Sequence, residues 1–187
     1  MKKAVLIFSI LSLVFASSCK DVEETVDEFT QFTIAFNEET EVPPLPFNVA
    51  AGFTFPLPLE DISTDNAEIY AANNTAKNLL EEVLLQDAHI SISNPDDPDF
   101  NFSFLESVEV YLSAEGLDEI LIASNMDVPS EKTIVLNSVG QNLVEYLKKD
   151  SINYKIVITT DEDVSAGTQF NLQFISEFFV DAKILGV

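Results

Sequence analysis

The sequence predicts a mainly β protein: an antiparallel sandwich of two sheets with a few short helices. Three observations carry that expectation. Apolar residues recur at every second position in several separate runs, and turn-forming residues return at short spacing between them. The alternation of strands with long amphipathic helices that a parallel sheet requires is missing.

The first element is a leader. Met1-Lys2-Lys3 is a short cationic start, and Ala4 to Phe15 is apolar except for Ser9 and Ser12. A bilayer-spanning helix needs about 20 apolar residues, so this run is too short to span. A cationic start, a short apolar run and small residues at its end form a secretory signal peptide. Residues 1–18 are therefore expected to be a leader, 19–28 an acidic tether and 29–187 a single sandwich domain.

Period-two patterning begins at Phe29. Phe32, Ile34 and Phe36 share one face, with Thr33 and Ala35 between them, which predicts a half-buried strand. Residues 42–58 hold five of the eight prolines, Pro43, Pro44, Pro46, Pro56 and Pro58. Proline has no N–H to donate to a ladder, so this stretch is expected to be irregular or an edge, with brief pairing in Val49–Phe55. Thr64–Glu82 is the best helical stretch, with Thr64 or Asp65 as a cap and Glu68 near the third helical place. A second short helix is expected after Thr75. Val83–Ser93 reads as strand, with Ala88, Ile90 and Ile92 against His89, Ser91 and Ser93. Ser107–Ser113 alternates cleanly, Val108, Val110 and Leu112 facing in. Ile120–Ala123 and Thr133–Leu136 read as two short strands around a turn at Asn125–Ser130. Leu143–Lys149 reads as a helix and Tyr154–Thr160 as strand.

The last run is the clearest. Phe170, Leu172, Phe174, Phe178, Val180, Ala182 and Ile184 all fall on even positions, and Ser176 alone interrupts them. The odd positions are polar except for Ile175 and Phe179. At ~3.3 Å per residue the run is long for a sandwich strand, so a bend or bulge near Ser176 is expected to divide it. The strand count and turn spacing suit a sandwich of the immunoglobulin kind or a similar one.

Ala16-Ser17-Ser18-Cys19 resembles the lipobox of bacterial lipoproteins, with Ala16 where Leu is usual. The resemblance implies that Cys19 becomes the mature N-terminus and carries three acyl chains, since two or more chains hold a protein firmly to a membrane. A lone thiol in an exported chain has no disulfide partner within that chain. Lys20-Asp21-Val22-Glu23-Glu24 resembles the export tag of Bacteroidota lipoproteins displayed outside the outer membrane. It implies a lipid-anchored outer-membrane protein facing the cell exterior, with a periplasm-facing position as the alternative. On this expectation Lys20, Asp21, Glu23 and Glu24 are the export signal and the acyl chains on Cys19 the link to the membrane.

Composition excludes other classes. The chain has 32 acidic and nine basic residues; without residues 1–18, seven lysines face 32 carboxylates, a formal charge of −25. All nine basic residues are lysines. Such a chain repels phosphate backbones and lacks the Arg that grips them bidentately, so nucleic-acid binding is excluded. There are 15 Phe and no Trp, leaving phenylalanine to supply the large core volumes.

The candidate sites are few. His89 is the one histidine, so no histidine cluster exists for a metal, and no nucleophile-elbow motif accompanies it. Asp96, Asp97 and Asp99, in the loop Asn94–Asn101, offer oxygen ligands of the kind Ca2+ takes, though the loop departs from the EF-hand pattern, with Phe102 after Asn101 in place of Gly and Val108 in the closing place. The alternative is a solvated turn, as for Asp161-Glu162-Asp163. Ile175 and Phe179, apolar on the outer face of the last strand, either lie under a neighbouring segment or form a patch for a lipid tail or partner protein. The expected function is a non-enzymatic binding or scaffold module of the cell envelope, possessing no cofactor apart from the calcium reading, with an envelope protein as partner. The alternatives are a carrier of a hydrophobic ligand in a Phe-lined groove and a carboxylate-dependent hydrolase.

Overall fold

A computed structural model describes residues 30–94 and 96–185. The leader, Cys19, Lys20, Asp21, Glu23 and Glu24 lie outside these residues. Among the described residues nine strands occur: β1 (Gln31–Val42), β2 (Thr54–Ser63), β3 (Leu80–Ser93), β4 (Leu105–Ala114), β5 (Ile120–Asn125), β6 (Thr133–Val135), β7 (Asn137–Ser138), β8 (Ser151–Thr160) and β9 (Phe170–Ala182). One sheet has the order β1-β9-β3-β6 and the other β2-β8-β4-β5-β7. Two short helices, α1 (Ala67–Ala72) and α2 (Val144–Leu147), sit in the connections. The antiparallel sandwich predicted from the sequence is therefore present.

Its strand order is that of a jelly roll. β4 pairs with β5, β3 with β6, β2 with β8 and β1 with β9, all antiparallel. Setting aside the two-residue β7, the first strand pairs with the last, the second with the next to last, and so inward to a central hairpin. A ribbon wound in this way gives the two four-stranded layers of a jelly roll.

The period-two runs explain the layers. On β4, Val108, Val110 and Leu112 face in; on β9, Phe174, Phe178 and Val180 do so, and none of the six is exposed to solvent. Sheet packing buries these alternate faces against each other. Tyr70 of α1 closes one end of the core, its ring edge-on to Phe32 at 6.2 Å, while Leu143, just before α2, and Leu147, within it, are buried. Phe100, Phe104 and Phe170 pack ring against ring at the other end, with centroids 5.4–6.0 Å apart.

Several local expectations are revised. The helical stretch 64–82 shortens to Ala67–Ala72, because Asn73 caps it and Asn74 takes a left-handed φ of +51°. Lys77–Leu79 then makes a single 3-10 turn, and Leu80–Glu82 joins β3, pairing with Asp181 and Ala182. Pairing with a central strand thus overrides local helical preference. The helix at 143–149 is one turn, Val144–Leu147. β5 and β6 belong to different sheets, so the 126–132 connection crosses the sandwich instead of closing a hairpin.

β9 itself is unbroken over 13 residues. The bulge lies on its neighbour, where Gln86 is the extra residue between the pairs Leu85–Phe178 and Asp87–Glu177. Ser176 does not break the strand because its hydroxyl meets that of Tyr154, from the opposite sheet, at 3.0 Å. Pro56 and Pro58 are accommodated in β2, an edge strand, as the missing N–H requires. Among the described residues no helix is long and apolar enough to cross a membrane.

Candidate functional site

The strand register gathers four connections at one end of the sandwich. Val42 pairs with Phe170, Ser93 with Asn171, Leu105 with Thr160 and Val108 with Asn125. Loops 43–53, 94–104, 126–132 and 161–169 therefore emerge together. Gln31, where the N-terminal segment enters, pairs with Asp181 near the end of β9 and lies at the opposite pole.

Two of these loops are the acidic ones singled out in the sequence, and they meet. Asp97, Asp99 and Asn101 line one side of a cleft of about 320 Å³, and Glu162, Asp163 and Ser165 line the other. The first loop is shaped by its own side chains and the second is tied to its neighbours. Asn94 Oδ1 accepts the Asp96 and Asp97 amides at 2.8 and 3.2 Å, and Asp97 Oδ1 accepts the Asp99 amide at 3.0 Å. These are Asx turns. Asp163 Oδ1 accepts the Ala51 amide at 3.1 Å, and Gln169 reaches Asp96 at 3.5 Å. Among the described residues no group of three or more acidic, histidine or cysteine side chains converges as metal ligands would. What the cleft offers chemically is a rim of acceptor oxygens that attracts cationic groups.

Beside the cleft stand three aromatic rings that the sequence reading passed over. Phe47 is 56% exposed and Phe53 42%; their centroids lie 6.5 Å apart, and Phe53 lies 5.9 Å from Phe55. The loop bearing Phe47 and Phe53 is stitched to the end of β8 and to the 161–169 loop. Val49 and Val164 exchange amide hydrogen bonds at 2.8 Å each, Asn48 Oδ1 accepts the Ala166 amide at 2.8 Å, and the buried Thr160 hydroxyl donates to Ala50 O at 2.9 Å. Gly52 turns the chain at a φ of +79°, where other residues are strained. The signal in the sequence was three phenylalanines in an uncharged, proline-rich segment of a strongly acidic chain.

The remaining predicted residues lie elsewhere. His89 is on the outer face of β3, its Nε2 2.6 Å from Asp87 Oδ2. Ile175 and Phe179 are half-exposed on the outer face of β9, Phe179 opposite Leu84 and Ile175 opposite His89. Glu38 is on the inward-facing side of β1, opposite Phe174, and burial raises its carboxyl above the ordinary range. Burial also pushes the Tyr154 hydroxyl well above the ordinary phenol range, against a smaller opposing effect of its bond to Ser176.

No protein-family model and no curated protein matches the sequence. Among solved structures the chain is similar to the nora virus structure, at 12% identity and a TM-score of 0.36, covering 82% of this chain and 61% of that one. It is also similar to the decameric BFDV capsid protein, at 7% identity and a TM-score of 0.32, covering 80% of this chain and 99% of that one. A third likeness is to T=1 particles derived from infectious bursal virus, at 13% identity and a TM-score of 0.34, covering 82% of this chain and 31% of that one. The jelly-roll assignment stands on the strand order itself.

Proposed function

We propose that the chain is a lipoprotein of the cell envelope, held at the outer membrane through Cys19 and facing outward, whose sandwich binds or scaffolds without catalysing a reaction. The observation that carries this reading is the polarity of the fold. The N-terminal segment enters at one pole and four loops emerge at the other, as suits a body tethered at its base and exposed at its tip. The filled interior supports binding at the surface over carriage of a lipid within. Phe102, Phe170, Phe174 and Phe178 are 0–1% exposed and occupy the space a carried ligand would need. A jelly roll hosts many functions, so the argument rests on the site and not on the fold.

Cys19→Ala tests the anchor. Metabolic labelling with palmitate is expected to disappear, and the protein to leave the membrane fraction; labelling that persists in the variant would falsify the anchor. Protease treatment of intact cells then separates outward from periplasmic display.

A further inference from the structure

We infer that the loop pole is a docking surface for a basic protein segment carrying apolar side chains, an inference that rests on the binding-module reading above. Phe47 and Phe53, exposed beside the half-buried Phe55, form an apolar patch left in water, of the kind that marks an interaction site. Phe47 and Phe53 are held by the hydrogen bonds that join their loop to Thr160 and to residues 161–169, so little ordering remains to be done on binding.

Charge identifies the occupant. The four loops contain eight carboxylates, Asp96, Asp97, Asp99, Asp127, Glu131, Asp161, Glu162 and Asp163, against the single basic residue Lys132. Lys132 is engaged, its ammonium donating to Pro98 O. The opposite pole is less one-sided: its connections hold seven carboxylates, Asp65, Glu68, Glu115, Asp118, Glu119, Glu145 and Asp150, but these are offset by Lys77, Lys148 and Lys149, with Lys183 just after β9. A cationic segment is thus drawn to the pole that carries the aromatic patch. A second copy docking through the same end would bring like charges together, and anionic lipid headgroups would be repelled. Arg or Lys side chains would stack over the exposed rings while their neighbours fill the patch.

The test uses the full chain in a zwitterionic detergent and short labelled peptides of Arg-Phe-Ser, Glu-Phe-Ser or Arg-Ser-Ser repeats, read by fluorescence anisotropy. The Arg-Phe-Ser peptide is expected to bind, less tightly as salt rises, and the other two to bind far more weakly. Phe47→Ser/Phe53→Ser should lower the affinity about tenfold or more, as loss of aromatic anchors does, with an unchanged melting transition. Asp161→Asn/Glu162→Gln should lower both the affinity and its dependence on salt. Equal binding by these variants, or by the acidic peptide, overturns the proposal. So does a dimer in sedimentation that Phe53→Ser dissolves, which would assign the patch to a second copy, or vesicle binding that the Phe variants abolish, which would assign it to lipid. Peptide binding reads the tip whatever the state of Cys19, so a failed palmitate test removes the anchor and leaves the docking site standing.

Discussion

Ser176 sits on the buried face of β9 between Phe174 and Phe178, where a polar residue needs a partner. Beside it across the ladder is the buried Ala88, and the Ser176 hydroxyl meets Tyr154 from the other sheet. Removing one hydroxyl strands the other, at about 1–3 kcal/mol, whereas removing both is close to neutral. Tyr154→Phe and Ser176→Ala should each lower urea stability by that amount, and the double variant should lie nearer wild type than the sum. Glu38 supplies a pH-dependent counterpart. Burial raises its carboxyl in the folded chain, so the native state holds the proton more tightly than the unfolded state. Stability therefore falls as pH climbs from the ordinary glutamate value through the raised one. Glu38→Gln, which imitates the protonated form, should raise Tm at neutral pH and converge with wild type in acid, as a series of melts would show. At this scale the sequence announced the polar interruption but not its remedy, because the partner of Ser176 is on another sheet. Phe47 and Phe53 were overlooked for a related reason: their exposure depends on a loop stitched to residues more than a hundred positions away.

Among the elements, the two faces of β9 were legible though its continuity past Ser176 was not, because a strand in the middle of a sheet is paired on both sides and its alternation is strict. β3 was harder. Val83 and Leu85 point inward from odd positions, while Ala88, Ile90 and Ile92 do so from even ones. The bulge at Gln86 makes the change of phase, and bulges leave little trace in a hydrophobic pattern. A pair of deletions follows from this. Without Gln86, Leu85 and Ala88 fall into ordinary alternation, so cooperative unfolding should survive with a modest loss in Tm. Without His89, Ala88 and Ile90 become neighbours, and part of the strand must turn its apolar side to water; that variant should lose its cooperative melt. The helices were over-predicted because capping and propensity are local signals. At Leu80–Glu82 they compete with a ladder to β9.

At the scale of the whole molecule, the sandwich class was legible from period and turn spacing, whereas the winding was not. Nothing in the runs of alternating residues says that 31–42 lies against 170–182, and so nothing said that the two acidic loops, more than sixty positions apart, would share a cleft. Net charge could be counted from the sequence, but its uneven distribution, with carboxylates at both poles and lysines gathered mainly at the one opposite the loops, needed the register. The pairing of the first strand with the last has a consequence for how the chain reaches this form. Closing a loop of that length costs chain entropy before the contact can repay it, so structures dominated by such contacts assemble slowly. β1 has no ladder partner until β9 has been made, and β3 loses its main neighbour without it. The sheet holding β1 therefore stays incomplete until Phe170–Ala182 is in place, and a chain delivered from its N-terminal side would hold β1 unpaired until then.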